Sequence, residues 1–274
     1  MAFIRLPAVA GTFYPSDPVE LRRMVDGFLA EAQTDQSGVT AGSSTAAGHT
    51  APKALIAPHA GYIYSGPVAA SAYVRLAPLR GTVTRVVLLG PSHRVGFRGL
   101  ALSSADYFDM PFGRIALDKT AQQALAGLPQ VQVLDAAHAL EHSLEVHLPF
   151  LQQLLGVFQL VPLVVGEARA EQVAEVLERL WGGEETLIVV SSDLSHYHDY
   201  ATAQRMDRAT SQAIERLRYE DLHDGDACGR TPVSGLLHYV RGHGGLMHTV
   251  DLRNSGDTAG PRGQVVGYGA YILE

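Results

Sequence analysis

The chain has 274 residues, a formal net charge of −7 at pH 7, 46% apolar residues and 18% charged residues. This length can bury one sizeable core, and the composition is that of a globular protein rather than a disordered one. The acidic balance, with no long basic run, argues against binding to nucleic acid or an anionic membrane through a basic surface.

Cysteine usage and hydropathy give expectations about the compartment. The single cysteine, Cys228, excludes an internal disulfide, and this fits a reducing cytoplasm. The first residues, MAFIRLPAVAG, lack the long apolar core of a signal peptide. No apolar stretch approaches the roughly 20 residues that span a bilayer. We therefore expect a cytoplasmic protein that does not enter a membrane.

The first predicted element is a helix in SDPVELRRMVDGFLAEA. Asp17 can cap it, Pro18 suits its first turn, and Glu20 completes a capping box. The following residues, 34–51, are rich in Gly, Ser, Thr and Ala and show no hydrophobic periodicity. This composition predicts a flexible surface loop, with His49 in solvent.

Strands and helices alternate in the rest of the chain. The predicted elements, in chain order, are a strand in ALIAP, a helix near residues 67–79, strands in RVVLLG and GLALSS, a helix near residues 118–127, a helix in EHSLEVHLPFLQQLL, a strand in QLVPLVVG, a helix in AEQVAEVLERLWG, a strand in TLIVVSSD, helices in YATAQRMDRATSQAIERL and TPVSGLLHYV, and closing strands in LMHTVDLRN and GQVVGYGAYI. This alternation predicts an α/β fold with a largely parallel central sheet covered by helices. With no internal repeat and no second composition zone, we expect a single domain over residues 1–274.

Three of the buried-looking strands end in similar polar chemistry. His59 follows the first, Ser92 and His93 follow the second, and Asp193 and His196 follow the third. Ligands of such sheets bind beyond the carboxyl ends of the strands, which share one edge. Any one of these residues could be an ordinary polar loop residue, but three matching strand ends favour one functional site.

Two further features allow both a plain and a functional interpretation. A lone cysteine is most often a small buried hydrophobe. Cys228 could also be a thiolate ligand or nucleophile, favoured by a helix start and by Arg230. The segment HALEH, from His138 to His142, matches the His-x-x-Glu-His pattern of some zinc proteases. Among twelve histidines such a match arises easily by chance, and we interpret it as accidental.

The segments RLPAVAGTFYP, APHAGYIYSG, GPSHR, EHSLEVHLPFLQ, SSDLSH, CGRTPV and the closing NSGD…VVGYGAYI together resemble the Memo family (mediator of cell motility). The bacterial branch of that family is called AmmeMemoRadiSam system protein B. The resemblance covers nearly the whole chain and keeps the family's motif order. It implies a fold similar to that of the class III extradiol (LigB-type) dioxygenases, which are non-haem iron enzymes.

The resemblance also implies a metal site. The family's ligand pattern falls on His59, His93 and Cys228. The dioxygenases have a carboxylate as third ligand, so the cysteine is a departure that argues against catechol cleavage. Two imidazoles and one thiolate suit one metal ion, with iron(II) or copper favoured by ligand softness and zinc as an alternative.

Other positions of this sequence match further residues of the related families. His196 matches the acid–base histidine of the dioxygenases, and Asp193 beside it could hold its tautomer and raise its basicity. Tyr64 and His142 match pocket positions of the family. His138 lies outside the family's motif, which supports an accidental zinc-protease pattern.

These observations lead to competing functional hypotheses. The first is a non-haem iron or copper redox enzyme, similar to an oxygenase, with an unknown small-molecule or peptide substrate. The second is a non-catalytic module that binds a peptide or protein in the same pocket. A third is hydrolysis by a metal-activated water. The name of the bacterial branch also implies a radical-SAM protein as a pathway partner.

Overall fold

A computed structural model gives the fold of residues 2–40 and 51–274. In these residues the strands are β1 (Ile4–Arg5), β2 (Ala54–Ala57), β3 (Arg85–Pro91), β4 (Leu100–Leu102), β5 (Tyr107–Phe108), β6 (Ile115–Ala116), β7 (Val131–Val133), β8 (Gln159–Val165), β9 (Thr186–Ser191), β10 (His196–His198), β11 (Met247–Asn254) and β12 (Val265–Leu273). The α-helices of the same residues are α1 (Pro18–Thr40), α2 (Tyr62–Tyr73), α3 (Lys119–Gln123), α4 (Asp135–Ala139), α5 (Leu148–Leu155), α6 (Ala170–Leu180), α7 (Tyr200–Glu215) and α8 (Arg230–His243).

The main sheet has a parallel centre and antiparallel edges. Its strands lie in the order β10-β12-β2-β9-β3-β8-β4-β7, and β11 pairs with β12. The four central strands, β2, β9, β3 and β8, run parallel to one another. β12 and β4 join this centre in the antiparallel direction. The predicted α/β fold is confirmed, and β1, β5 and β6 form a small separate sheet.

Helices cover both faces of the central strands. Along β3, Val86 and Leu88 pack into one core, and Val87 and Leu89 pack into the other. The first core also contains apolar residues of α1, α2 and α5, whereas the second contains those of α6, α7 and α8. Uninterrupted apolar runs are typical of parallel strands that are buried on both sides. No helix of the described residues is long and apolar enough to cross a membrane.

Several predicted helix boundaries were wrong, and the largest differences are at α1 and α5. Residues 34–40 were predicted as loop, but α1 continues to Thr40. An established helix adds each further residue at low cost, so a polar segment without an apolar face can extend it. Residues 41–50, with His49, lie outside the described residues, so the rest of the loop stays a prediction.

The helix predicted in EHSLEVHLPFLQQLL begins seven residues later than predicted. A 3-10 turn covers Glu145–His147, and α5 begins at Leu148 with a proline in its first turn. The backbone N–H groups of His142 and Ser143 donate to the Glu141 carboxylate, each at 2.9 Å. A side chain that takes these N–H groups competes with helical hydrogen bonds, so the segment before the turn stays irregular.

A buried carboxylate anchors the N-terminal segment. Glu145 is fully buried and forms an ion pair with Arg5. It also accepts hydrogen bonds from the Tyr14 hydroxyl (2.5 Å) and from the N–H groups of Ala8 (2.7 Å) and Val9 (3.0 Å). Because these donors span residues 5–14, one side chain fixes the path of the segment that carries Phe13.

Loss of the Glu145 charge is expected to destabilise the fold. The substitution Glu145→Gln leaves the Arg5 guanidinium buried without its counter-charge, which should lower the free energy of unfolding by about 3–5 kcal/mol. The control is Glu171→Gln, which removes an exposed pair with Arg169 and should cost less than about 1 kcal/mol. Urea unfolding measures both changes in the free energy of unfolding, and equal losses would contradict the stabilising role of the Arg5–Glu145 pair.

Candidate metal centre

The register of the sheet brings three loops to one edge. Ala57, at the end of β2, pairs with Ser191, at the end of β9. On the other side of β9, Val190 pairs with Leu89 of β3. His59, His93 and Asp193 follow these strand ends within a few residues, and all three line one cavity. The predicted meeting of strand-end residues is therefore observed.

Three histidines form a cluster that could hold a metal ion. One ring nitrogen from each of His59, His93 and His142 lies within 4.8 Å of the others, the single such group in the described part of the chain. The rings of His93 and His142 stack, with centroids 4.7 Å apart. His142, predicted only as a pocket residue, is thus placed among the candidate ligands.

Glu141 orients His93. Its carboxylate accepts hydrogen bonds from the Nδ1–H of His93 (2.9 Å) and from the backbone N–H of the same residue (2.6 Å). Burial alone would raise the pKa of Glu141, but the hydrogen bonds from His93 and Ser143 outweigh it and hold the pKa at about 2. The carboxylate stays charged, keeps the proton on Nδ1, and leaves Nε2 of His93 as the candidate ligand atom.

The sequence analysis missed this role of Glu141. The residue lies in HALEH, where a zinc protease would have its general base. Here it contacts His93, which is 48 residues distant in the chain. The adjacent pair Glu141–His142 was the available signal, but the partner of the carboxylate depends on tertiary structure.

His59 is buried beside its neighbours in a neutral form. Burial, followed by the positive charges that His93 and His142 could carry, holds the pKa of His59 well below its usual range. Its backbone N–H donates to Oδ1 of Asp193 at 2.8 Å. A neutral imidazole has a lone pair to offer, so the buried position of His59 suits a metal ligand.

Cys228, predicted as the third ligand, lies just before α8 and contacts His59, but it is not in the group of three histidines. Its Sγ lies 3.4 Å from Nε2 of His59 and 3.3 Å from the N–H of Asp193. Burial, and then the Asp193 charge, raises the pKa of the thiol. The expectation that Arg230 favours a thiolate was wrong, because that guanidinium pairs with Asp224 at 2.6 Å. Metal binding would have to displace the thiol proton.

Gly229 allows this approach of α8 to the strand end. A Cβ at this position would lie 2.3 Å from the carbonyl oxygen of Ser191 and 2.6 Å from Cβ of Ser192. The N–H of Gly229 donates to the Ser192 hydroxyl at 3.0 Å. The small residue after Cys228 is therefore required for the cysteine to sit near His59.

His196 and Asp193 line the cavity but differ from the predicted arrangement. The Nδ1–H of His196 donates to the carbonyl of Leu194 at 2.8 Å, so a backbone group sets its tautomer. Asp193 instead accepts the backbone N–H of His59, and burial raises the pKa of its carboxyl. Asp193 was expected to hydrogen-bond to His196 and set its tautomer. Its observed partner is instead the loop that carries His59, a candidate ligand.

The cavity has a volume of about 670 Å³. Its walls include Phe13, Arg94 and Tyr197 in addition to the histidines. Tyr64 is 37% exposed on α2 and is not among the residues that line this cavity. His138 is buried elsewhere, where its Nε2 hydrogen-bonds to the carbonyl of Ala101 at 2.9 Å, so the two histidines of HALEH do not belong to one group of candidate ligands.

The geometry defines an α/β protein with a candidate metal centre at the carboxyl edge of its parallel strands. The chain belongs to the Memo family, because residues 5–272 match the family described as Memo-like protein. A MEMO1 family protein of Aquifex aeolicus is 36% identical, over 98% of this chain and 99% of that protein. A MEMO1 family protein of Sulfolobus acidocaldarius is 34% identical, over 97% of each.

A solved structure has the same fold at low sequence identity. The crystal structure of an uncharacterized protein from Escherichia coli K12 superimposes with a TM-score of 0.50 and 16% identity. The match covers 80% of this chain and 98% of that chain. This similarity supports the fold assignment only.

A buried acid supports the loop of His196. Oδ1 of Asp207, on α7, accepts the N–H of Ser195 at 3.0 Å. The carboxyl packs so closely on β12 that a Cβ at Gly267 would lie 2.1 Å from its Oδ2. Burial raises the pKa of Asp207 from its usual 3.8 to about 6, against opposing hydrogen bonds from Ser195.

This raised pKa predicts a pH-dependent effect on stability. The folded state binds the Asp207 proton more tightly than the unfolded state, so its stabilising contribution is complete below about pH 4 and is lost as the pH rises to about 6. The Asp207→Asn variant should therefore gain on the order of 2 kcal/mol relative to the wild type between pH 4 and pH 7. Urea unfolding across this range measures the difference. Asp26→Asn, a substitution at an exposed position on α1, is the control.

Proposed function

We propose that this protein is a metal-dependent redox enzyme of the oxygenase kind, with one ion held by His59, His93 and a third ligand. The observation that supports it most directly is the histidine cluster around the buried His59, in which one ring nitrogen from each of the three residues lies within 4.8 Å of the others. The donor set fits a cation, because Glu141 commits Nδ1 of His93 and leaves Nε2 as a lone-pair donor.

The third ligand is His142 or Cys228. His142 belongs to the close group of ring nitrogens. Cys228 lies 3.4 Å from Nε2 of His59, a separation suited to two ligands of one ion. Imidazoles with a thiolate favour iron(II) or copper by ligand softness, and zinc is the alternative. A bound iron or copper ion would supply redox chemistry with dioxygen.

The remaining residues of the cavity bind substrate and move protons. His196 holds its Nδ1 proton against the carbonyl of Leu194, which leaves Nε2 for proton transfer with a substrate. Phe13 and Tyr197 provide apolar walls, and the volume of about 670 Å³ suits a small molecule or a single peptide side chain. Asp193 keeps the His59 loop in place through its backbone hydrogen bond.

The first test is the metal content of protein purified without oxygen. We expect about one iron or copper ion per chain, and oxygen consumption on addition of a substrate drawn from catechols and related reductants. A bound metal without turnover of any candidate would favour the peptide- or protein-binding alternative. Absence of iron, copper and zinc, together with failure to bind them on titration, would overturn the proposal.

Single substitutions should distinguish metal ligands from residues that do not bind the metal. His59→Ala should weaken metal binding severely, since it removes the most buried ring of the cluster. His138→Ala is the matched control, because that buried histidine bonds to the Ala101 carbonyl and should leave the affinity unchanged. Metal titration of His142→Ala and Cys228→Ala then identifies the third ligand by the larger loss. An equal loss in His138→Ala would show that the affinity reports folding instead.

Removal of the His196 imidazole, the proposed proton-transfer group, should leave metal binding nearly unchanged. His196→Ala should bind metal almost as the wild type does, but should lose turnover by a factor of about 10²–10⁴, as is typical of a general acid–base. The pair of measurements is the affinity by titration and the rate by oxygen consumption. If His196→Ala loses the metal as completely as His59→Ala, then His196 is a ligand and its proposed role is wrong.

A further inference from the structure

A buried hydrogen-bond chain lies behind His59 and has no part in the proposed chemistry. Oγ of Ser191 lies 2.5 Å from Nδ1 of His59, 2.7 Å from Nε2 of His147 and 2.6 Å from the carbonyl oxygen of Ser143. Nδ1 of His147 lies 2.7 Å from the hydroxyl of Tyr73. All of these side chains are buried.

Only one arrangement of protons along this hydrogen-bond chain gives every polar group a partner. A serine hydroxyl has one proton to donate and two lone pairs to accept with. The carbonyl of Ser143 can only accept, so the Ser191 proton goes there. Both imidazoles at Oγ must then donate, which places a proton on Nδ1 of His59 and on Nε2 of His147. Nδ1 of His147 is left as the acceptor for the Tyr73 hydroxyl.

We infer that Ser191 is a positioning residue that fixes His59 in the tautomer with a bare Nε2, and that His147 and Tyr73 hold Ser191 in place. The inference rests on the proposed function in one respect, since a bare Nε2 matters most when it faces a cation. Any other arrangement leaves a buried polar group unpaired, which costs about 1–3 kcal/mol. The tautomer of a ligand histidine is commonly set by the partner of its other nitrogen.

His59 and His93, the two candidate ligands whose Nδ1 is hydrogen-bonded, are held by different means. Glu141 holds His93 by a charged acceptor, whereas Ser191 holds His59 by a neutral hydroxyl. A neutral acceptor holds its donor less strongly than a carboxylate does. The Ser191 hydroxyl therefore needs its contacts with His147 and Ser143 to stay oriented. This explains why a tyrosine on α2 and a histidine before α5 converge behind a strand end.

The tautomer can be read without any metal. In full-length, metal-free protein with ¹⁵N-labelled histidine, ring-nitrogen NMR at a pH where His59 is neutral should show a protonated Nδ1 and an unprotonated Nε2. The variant Ser191→Ala should show a second tautomer with the proton on Nε2. A wild-type His59 with its proton on Nε2 would overturn the inference. So would a Ser191→Ala variant that keeps the wild-type tautomer alone.

Variants of His147 separate positioning from simple packing. His147→Gln retains an N–H donor for Ser191 and should keep the wild-type tautomer, whereas His147→Leu should behave as Ser191→Ala does. Zn²⁺ titration should follow the same order, with a loss of about 10–100-fold for Ser191→Ala. If His147→Gln and His147→Leu both keep the wild-type tautomer, His147 only fills space and that part of the inference is wrong. If the tautomers follow the inference but neither the wild type nor any variant binds iron, copper or zinc on titration, the positioning role stands and the proposed metal function fails.

Discussion

The parallel pairing of β2, β9 and β3 is the constraint on which the site depends. Each strand is buried on both faces, so a shift of register by one residue would exchange its two cores. The register therefore fixes Ala57 beside Ser191, and Val190 beside Leu89, at one edge. Loops that leave the sheet at this edge carry His59, His93 and Asp193 into one cavity. The hydrophobic effect that aligns the strands thus also determines where the polar loops meet.

Burial has opposite consequences for the acids and bases of this site. It favours the neutral form of His59 and His147, which keeps imidazole lone pairs available. Burial would also protonate Glu141, but hydrogen bonds from His93 and neighbouring N–H groups keep that carboxylate charged. Cys228 has no comparable compensation and remains a thiol in the absence of a cation. A cation bound in the cluster would instead favour the thiolate form of Cys228, since metal binding releases the proton of a thiol ligand.

The N-terminal segment connects the stability of the fold with the wall of the cavity. Arg5 pairs with Glu145 and also donates to the carbonyls of His138 (3.1 Å) and Glu141 (2.7 Å). The same segment brings the ring of Phe13 to 4.8 Å from that of His142. Loosening of the buried ion pair would therefore disturb both the irregular segment that carries Glu141 and the packing of a candidate ligand.

The sequence was sufficient to predict the α/β class, the central strands and the strand ends that carry His59, His93 and Asp193, because apolar runs and their polar ends are local patterns. It also showed that HALEH need not be a protease site. It did not show the extent of α1, because an established helix can extend through residues of weak preference. Nor did it identify the partners of Glu141 and Ser191, or the backbone bond that orients His196. Those contacts join residues up to 132 positions apart, or depend on the path of a loop, and only the packed sheet brings their atoms within hydrogen-bond distance.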